Sequence, residues 1–105
     1  MEGTLGEIRI FAGNFAPMNW AFCHGQMLTI MSNPALFSLI GNHYGGDGRT
    51  NFALPDLRGK VIIGADTSNL GSMVPLLSEP QDNLQVQGLA INYIICINGM
   101  FPTRA

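Results

Sequence analysis

The chain has 105 residues, of which 47% are apolar and 11% charged, with a formal net charge of −2. That length suits one domain with a modest core, the small negative charge leaves no electrostatic footprint for nucleic acid, and no apolar run is long enough to cross a membrane. The charged share is less than half of the roughly 25% usual in soluble domains, so much of the surface is neutral or apolar, and burial against another subunit is expected. A monomer with a polar but uncharged surface is the other reading of the same figure.

In chain order, Glu7 to Ala12 alternates, with Ile8, Ile10 and Ala12 on one face, and predicts a strand. Gly13-Asn14 opens a turn region that closes near Pro17. Trp20 to Cys23 and Gln26 to Ile30 flank His24-Gly25, a two-residue corner that predicts a tight hairpin. Ser32 or Asn33 can cap a short helix with Pro34 at its first position, where the missing N–H costs nothing. Leu36, Leu39 and Ile40 share its inner face, Phe37 widens the stripe, and Gly41 is a natural stop. A helix of about two turns must be held by packing. Asn51 to Leu54 is extended and halts at Pro55, and Lys60 to Ile63 predicts a second short strand. Asp66 to Gln87 has no sustained period, contains Pro75 and Pro80, and reads as a long ordered loop or linker. Gly88 to Phe101 is the longest apolar segment. Both of its faces are greasy, which places it in the middle of a structure or between subunits.

The most informative stretch runs from Gly45 to Gly59. Gly45, Gly46, Gly48 and Gly59 call for tight corners or close backbone approach. Asp47 lies between two glycines, where its side chain can cap a turn, and Asp56 suits a local pairing with Arg58 or Arg49. Pro55 stops the preceding strand. The block holds no nucleophile–base pair and lacks the closing Gly-Lys-Ser/Thr of a phosphate loop.

Elsewhere the candidate chemistry is thin. His24 and His43 have no partners at ligand spacing, and Asp47 and Asp56 do not follow a calcium loop, so no metal and no cofactor is expected. Ser32 and Ser38 suit helix roles. Trp20 and Tyr44 can contribute to an aromatic sugar platform, although aromatics in a small domain more often pack. Cys23 and Cys96 suit buried small hydrophobes, with a bridge between them as the alternative. The Met-Glu-Gly-Thr start has no basic and apolar leader, so no secretory signal is expected.

Several motifs occur together in order: Gly6-Glu7-Ile8-Arg9, Asn14-Phe15-Ala16-Pro17, Trp20 to Gln26, Leu36 to Gly41, and the Gly45–Gly59 block. Over residues 5 to about 64 the chain resembles the phage tail collar domain family, which includes the microcystin-dependent-protein-like tail proteins. Ala90 to Ile95 and Gly99 to Pro102 resemble the close of the same proteins. The resemblance implies a structural protein of tail fibres or phage-tail-like assemblies, commonly homotrimeric. Relatives carry a long variable segment before the final strand, whereas here Ala65 to Gln87 alone fills that place. His24 stands where they have an acidic residue. The assembly module is thus the part retained.

The expectation is an α+β, mainly β, single domain: a collar core over 1–64, a shortened linker over 65–87 and a C-terminal strand over 88–105. It is a non-enzymatic tail or fibre protein that self-assembles as a trimer or higher assembly. It attaches or presents other tail or fibre proteins, with a virion tail or extracellular filament as its place. The final strand and the Met73–Leu77 loop are expected to supply the contacts, through Met73, Val74, Leu76, Leu77, Ile94 and Met100. The alternative is a small adhesin at a fibre tip that binds a cell-surface glycan through Trp20 and Tyr44.

Overall fold

The computed structural model describes residues 1–76 and 87–104. It is an α+β, mainly β fold that has, among the described residues, five short strands and one helix: β1 (Ile8–Phe11), β2 (Trp20–Phe22), β3 (Met27–Thr29), α1 (Pro34–Ile40), β4 (Asn51–Ala53) and β5 (Asn92–Cys96). The strands form two antiparallel sheets, one ordered β1-β5-β2 and the other β3-β4.

The doubly apolar segment near the C-terminus becomes the central strand. β5 pairs with β1 in the register Ile8↔Ile95 and Ile10↔Tyr93, and with β2 in the register Trp20↔Cys96 and Phe22↔Ile94. Its alternate side chains enter two separate cores. Ile95 joins Leu5, Cys23, Leu36, Phe52 and Leu54 on one face, and Ile94 and Cys96 join Trp20 on the other. A strand covered on both faces needs apolar residues at every position, which explains its composition.

The hairpin expected at His24-Gly25 does not form. β2 pairs with β5 and β3 pairs with β4, so the chain leaves one sheet at that corner and enters the other. The strand expected over Lys60 to Ile63 is absent as well, because that segment finds no ladder among the described residues.

Both ends of β1 are shaped by local chemistry. Gly6, at φ +83°, and Glu7 together face Cys96: the Gly6 N–H donates to the Cys96 carbonyl, and the Cys96 N–H donates to the Glu7 carbonyl. This is a bulge of the kind that requires glycine at its first position. At the far end, the Asn92 side chain donates to the Gly13 carbonyl at 2.8 Å.

Helix α1 starts at Asn33 and Pro34 and closes where the Gly41 N–H donates to the Phe37 carbonyl. Asn33 does not cap with its side chain, which instead donates back to the Thr29 carbonyl at 3.0 Å. The helix is held from inside: Leu36 is buried, and Phe37, Leu39 and Ile40 pack against the same core.

Candidate interaction surface

The glycine-rich corner is a structural clamp. At Gly46 (φ +91°) a β-carbon would lie 2.5 Å from the Phe52 Cα, so this position must be glycine for the corner to close over β4. Asp47 Oδ1 accepts backbone N–H bonds from Arg49, Thr50 and Asn51, and Oδ2 accepts the Thr50 hydroxyl. Those N–H donors, Arg49 first, hold the Asp47 carboxyl far below the usual carboxylate range.

Between the two aspartate pairings left open by the sequence, Asp56 takes Arg58. The guanidinium forks its carboxylate, Nε to Oδ1 and Nη2 to Oδ2 at 2.9 Å each, and Nη2 also donates to the His24 carbonyl at 3.1 Å. Arg58 accordingly keeps the Asp56 carboxyl strongly depressed. The Leu57 N–H donates to the Cys23 carbonyl and the Gly25 N–H to the Pro55 carbonyl. Residues 55–58 therefore lash the corner to the junction between the two sheets.

Several expected contact residues lie elsewhere than anticipated. Ile94 is 0% exposed at the centre of β5, so it is corrected from a contact residue to a core residue. The same holds for the C-terminal half of β5, whose Ile94, Ile95 and Cys96 are sealed within one chain. Trp20 is only 4% exposed: its indole N–H donates to the Met1 carbonyl, and the Arg9 guanidinium sits 4.9 Å above its ring. A sugar cannot stack on it, so its assignment as a glycan contact is also corrected. Tyr44 is half-buried and lies edge-on to His43. Cys23 and Cys96 are buried, unbridged and in different cores, and burial pushes the Cys23 thiol up to about 12.

Met73, Val74 and Leu76 are exposed, and they line one open cavity of about 680 Å³ together with Ile8 and Ile63. Leu77 lies outside the described residues. Met100 is exposed near the chain ends, where its carbonyl accepts the Leu5 N–H. A second open cavity, about 710 Å³, lies between Ile10, Val61 and Ile91.

The residues that sequence reasoning missed are Ile8, Ile10, Val61, Ile62, Ile63 and Leu89, all exposed. The alternation in β1 correctly puts Ile8 and Ile10 on one face, shared with Tyr93 and Ile95. Their exposure shows that the covering layer stops short of this edge of the sheet. The available signal was the Val-Ile-Ile run after Lys60, an apolar strand-like segment with no obvious partner.

The family model for the phage tail collar domain matches residues 6–62, and no curated protein matches the chain. The match spans β1 to β4 and ends in the segment that lines both cavities. It covers more than half of the sequence and stops short of β5, so the resemblance of residues 90–102 to the end of such proteins lies beyond it. With its glycine-rich corner tied down through Asp47 and Asp56 beside a surface rich in apolar side chains, the chain belongs to the phage tail collar domain family, a structural domain of phage tails.

Proposed function

We propose that this tail protein works by self-association: copies pack through the apolar surface formed by β1 and residues 61–76, and the assembly attaches or presents other tail and fibre proteins. The observation that carries this reading is an excess of surface. The chain exposes 7958 Å², against about 5,700 Å² expected of a folded monomer of this mass. Even when every residue outside the described set is granted the full area of an unfolded chain, about 900 Å² remain in excess. One partner in a standard interface buries about 800 Å².

The chemistry of that surface favours copies of itself as the cover. Ile8, Ile10, Val61, Ile62, Ile63 and Met73 are all exposed there, and of the cations beside them Arg9 is paired with Glu7 and Arg58 with Asp56, which leaves Lys60. A mainly apolar surface whose cations are largely paired can meet its own copy with little like-charge repulsion, and closed homo-oligomers are the common outcome. Size-exclusion chromatography with light scattering at micromolar concentration tests the proposal. A mass of two or more chains is expected, and a clean monomer across the concentration range refutes it.

A further inference from the structure

The four edge strands differ in how their outward backbone groups are used. In the β1-β5-β2 sheet, β5 spends its even-numbered residues on β1 and its odd-numbered ones on β2. The bond from the Cys96 N–H to the Glu7 carbonyl and that from the Cys23 N–H to the Tyr93 carbonyl set this alternation. On β2 the outward residues are therefore Trp20 and Phe22, and each has one group occupied: the Trp20 N–H donates to the Pro17 carbonyl at 3.0 Å, and the Phe22 carbonyl accepts the Gln26 side chain at 2.9 Å. On β4 the Ala53 N–H goes to the Gly45 carbonyl, and the Asn51 carbonyl accepts the Gly48 N–H. On β3 the Thr29 carbonyl accepts from Asn33, and Met27 has no backbone partner among the described residues, so that edge is half used.

On β1 the outward residues are Ile8 and Ile10. Among the described residues, neither their N–H groups nor their carbonyls have a partner. The edge is also apolar, with Ile10 67% exposed. Such an edge is a template for an added strand.

A second set of unpaired groups lies on Val61, Ile62 and Ile63, which make no backbone hydrogen bond among the described residues. β-branched residues have strong strand preference, and all three are exposed.

We infer that the outward edge of β1 accepts the Lys60–Ile63 segment of a second copy as an added strand, bonded to the backbone of Ile8 and Ile10. The inference rests on the self-association proposed above and names the contact that makes it. Pairing β1 with β1 of another copy fits less well. An antiparallel register that bonds Ile8 to Ile10 of the partner places the two Arg9 residues opposite each other, and like charges so placed are destabilising. Pairing β1 with residues 60–63 joins two different surfaces, so each copy offers one acceptor edge and one donor segment. Contacts of that type propagate into a closed ring or a filament. The surplus surface of about 900 Å² is enough for such a contact on the scale of a standard interface.

The test mixes two differently tagged chains, one carrying Ile10→Cys and the other a single cysteine at Val61, Ile62 or Ile63, under mild oxidation. A disulfide joining the two tags is expected for at least one of the three positions. A disulfide formed by Ile10→Cys chains alone, with none to the segment, assigns β1–β1 pairing and overturns the inference. In parallel, Ile10→Pro removes an outward N–H while sparing the bonds to β5, and Ile10→Lys places a charge on the edge. Each is expected to raise the concentration for half-assembly by ~tenfold or more, as loss of edge hydrogen bonds and apolar contact predicts. The Lys variant retains the readout if the Pro variant does not fold. Wild-type assembly that both variants leave unchanged, with no mixed disulfide, overturns the inference and leaves self-association standing. A wild-type monomer at all concentrations overturns both.

Discussion

The corner from Gly45 to Gly59 and the stretch that follows it are neighbours in the chain built on opposite terms. In the corner, Asp47 collects four hydrogen bonds, Gly45 and Gly48 bond to β4, and Arg58 locks Asp56 to the junction of the sheets. From Val61 to Leu76 there is, among the described residues, one backbone–backbone bond, Ser72 to Asn69, and a local turn around Asp66. That stretch carries exposed Val61, Ile62, Ile63, Leu70, Met73 and Leu76. The corner is thus tied into the fold, and residues 61–76 are left to serve a surface while the chain returns to the core at β5. Substitutions on the two sides should therefore separate stability from assembly.

The largest effects belong to the clamped side. Phe52 is fully buried and stacks at a tilt on Phe37, with ring centroids 5.3 Å apart. Phe52→Ala should lower the unfolding free energy by about 3–5 kcal/mol, read from the urea midpoint. Gly46→Ala comes next. Its new methyl would press on the Phe52 backbone at a φ that side-chain-bearing residues avoid, a cost of about 2–3 kcal/mol. Gly64→Ala is the matched control on the open side, with nothing within 4 Å of the added atom, and should stay within about 0.5 kcal/mol. Equal losses at Gly46 and Gly64 would erase the contrast.

Acid should also weaken the clamp. Asp47 and Asp56 both titrate lower in the folded chain than their ordinary value of 3.8. The stability they contribute is complete above that value and is lost as pH falls through the depressed folded values. Denaturation midpoints measured from about pH 5 down to about pH 2 should therefore decline. Asp47→Asn removes the charge that three N–H groups attract, and should flatten that decline. A variant whose acid arm overlays the wild type would show that the Asp47 turn does not couple to folding.

How far these features could be read in advance depends on how local they are. Helix α1 was legible because Pro34 and Gly41 mark its ends and Leu36 marks its inner face. The central place of β5 was legible because both of its faces are apolar. The false hairpin at His24-Gly25 shows the limit. A two-residue corner fits a hairpin locally, but β2 takes its partner from β5, some seventy residues later, and no local signal reports that competition. Trp20 shows the same limit for sites. Aromatic character alone cannot tell a sugar platform from a ring closed between Arg9 and the Met1 carbonyl. At Lys60–Ile63 the strand preference is real, but a strand is made by its neighbour, and none is supplied among the described residues.

The smallest expected change in stability makes the sharpest test of the comparison. Val61 and Ile63 are exposed, and their backbone makes no bond among the described residues. Val61→Ser with Ile63→Ser should therefore alter the unfolding free energy of the isolated chain by no more than about 0.5 kcal/mol. The same pair should lower the mass found by light scattering, because it removes apolar area at the proposed contact and weakens strand preference there. The opposite pattern, a loss of about 2 kcal/mol or more with the mass unchanged, would mean that residues 61–63 belong to the chain's own core. The boundary between clamp and surface would then have to move beyond Lys60, and β1 would need a different partner.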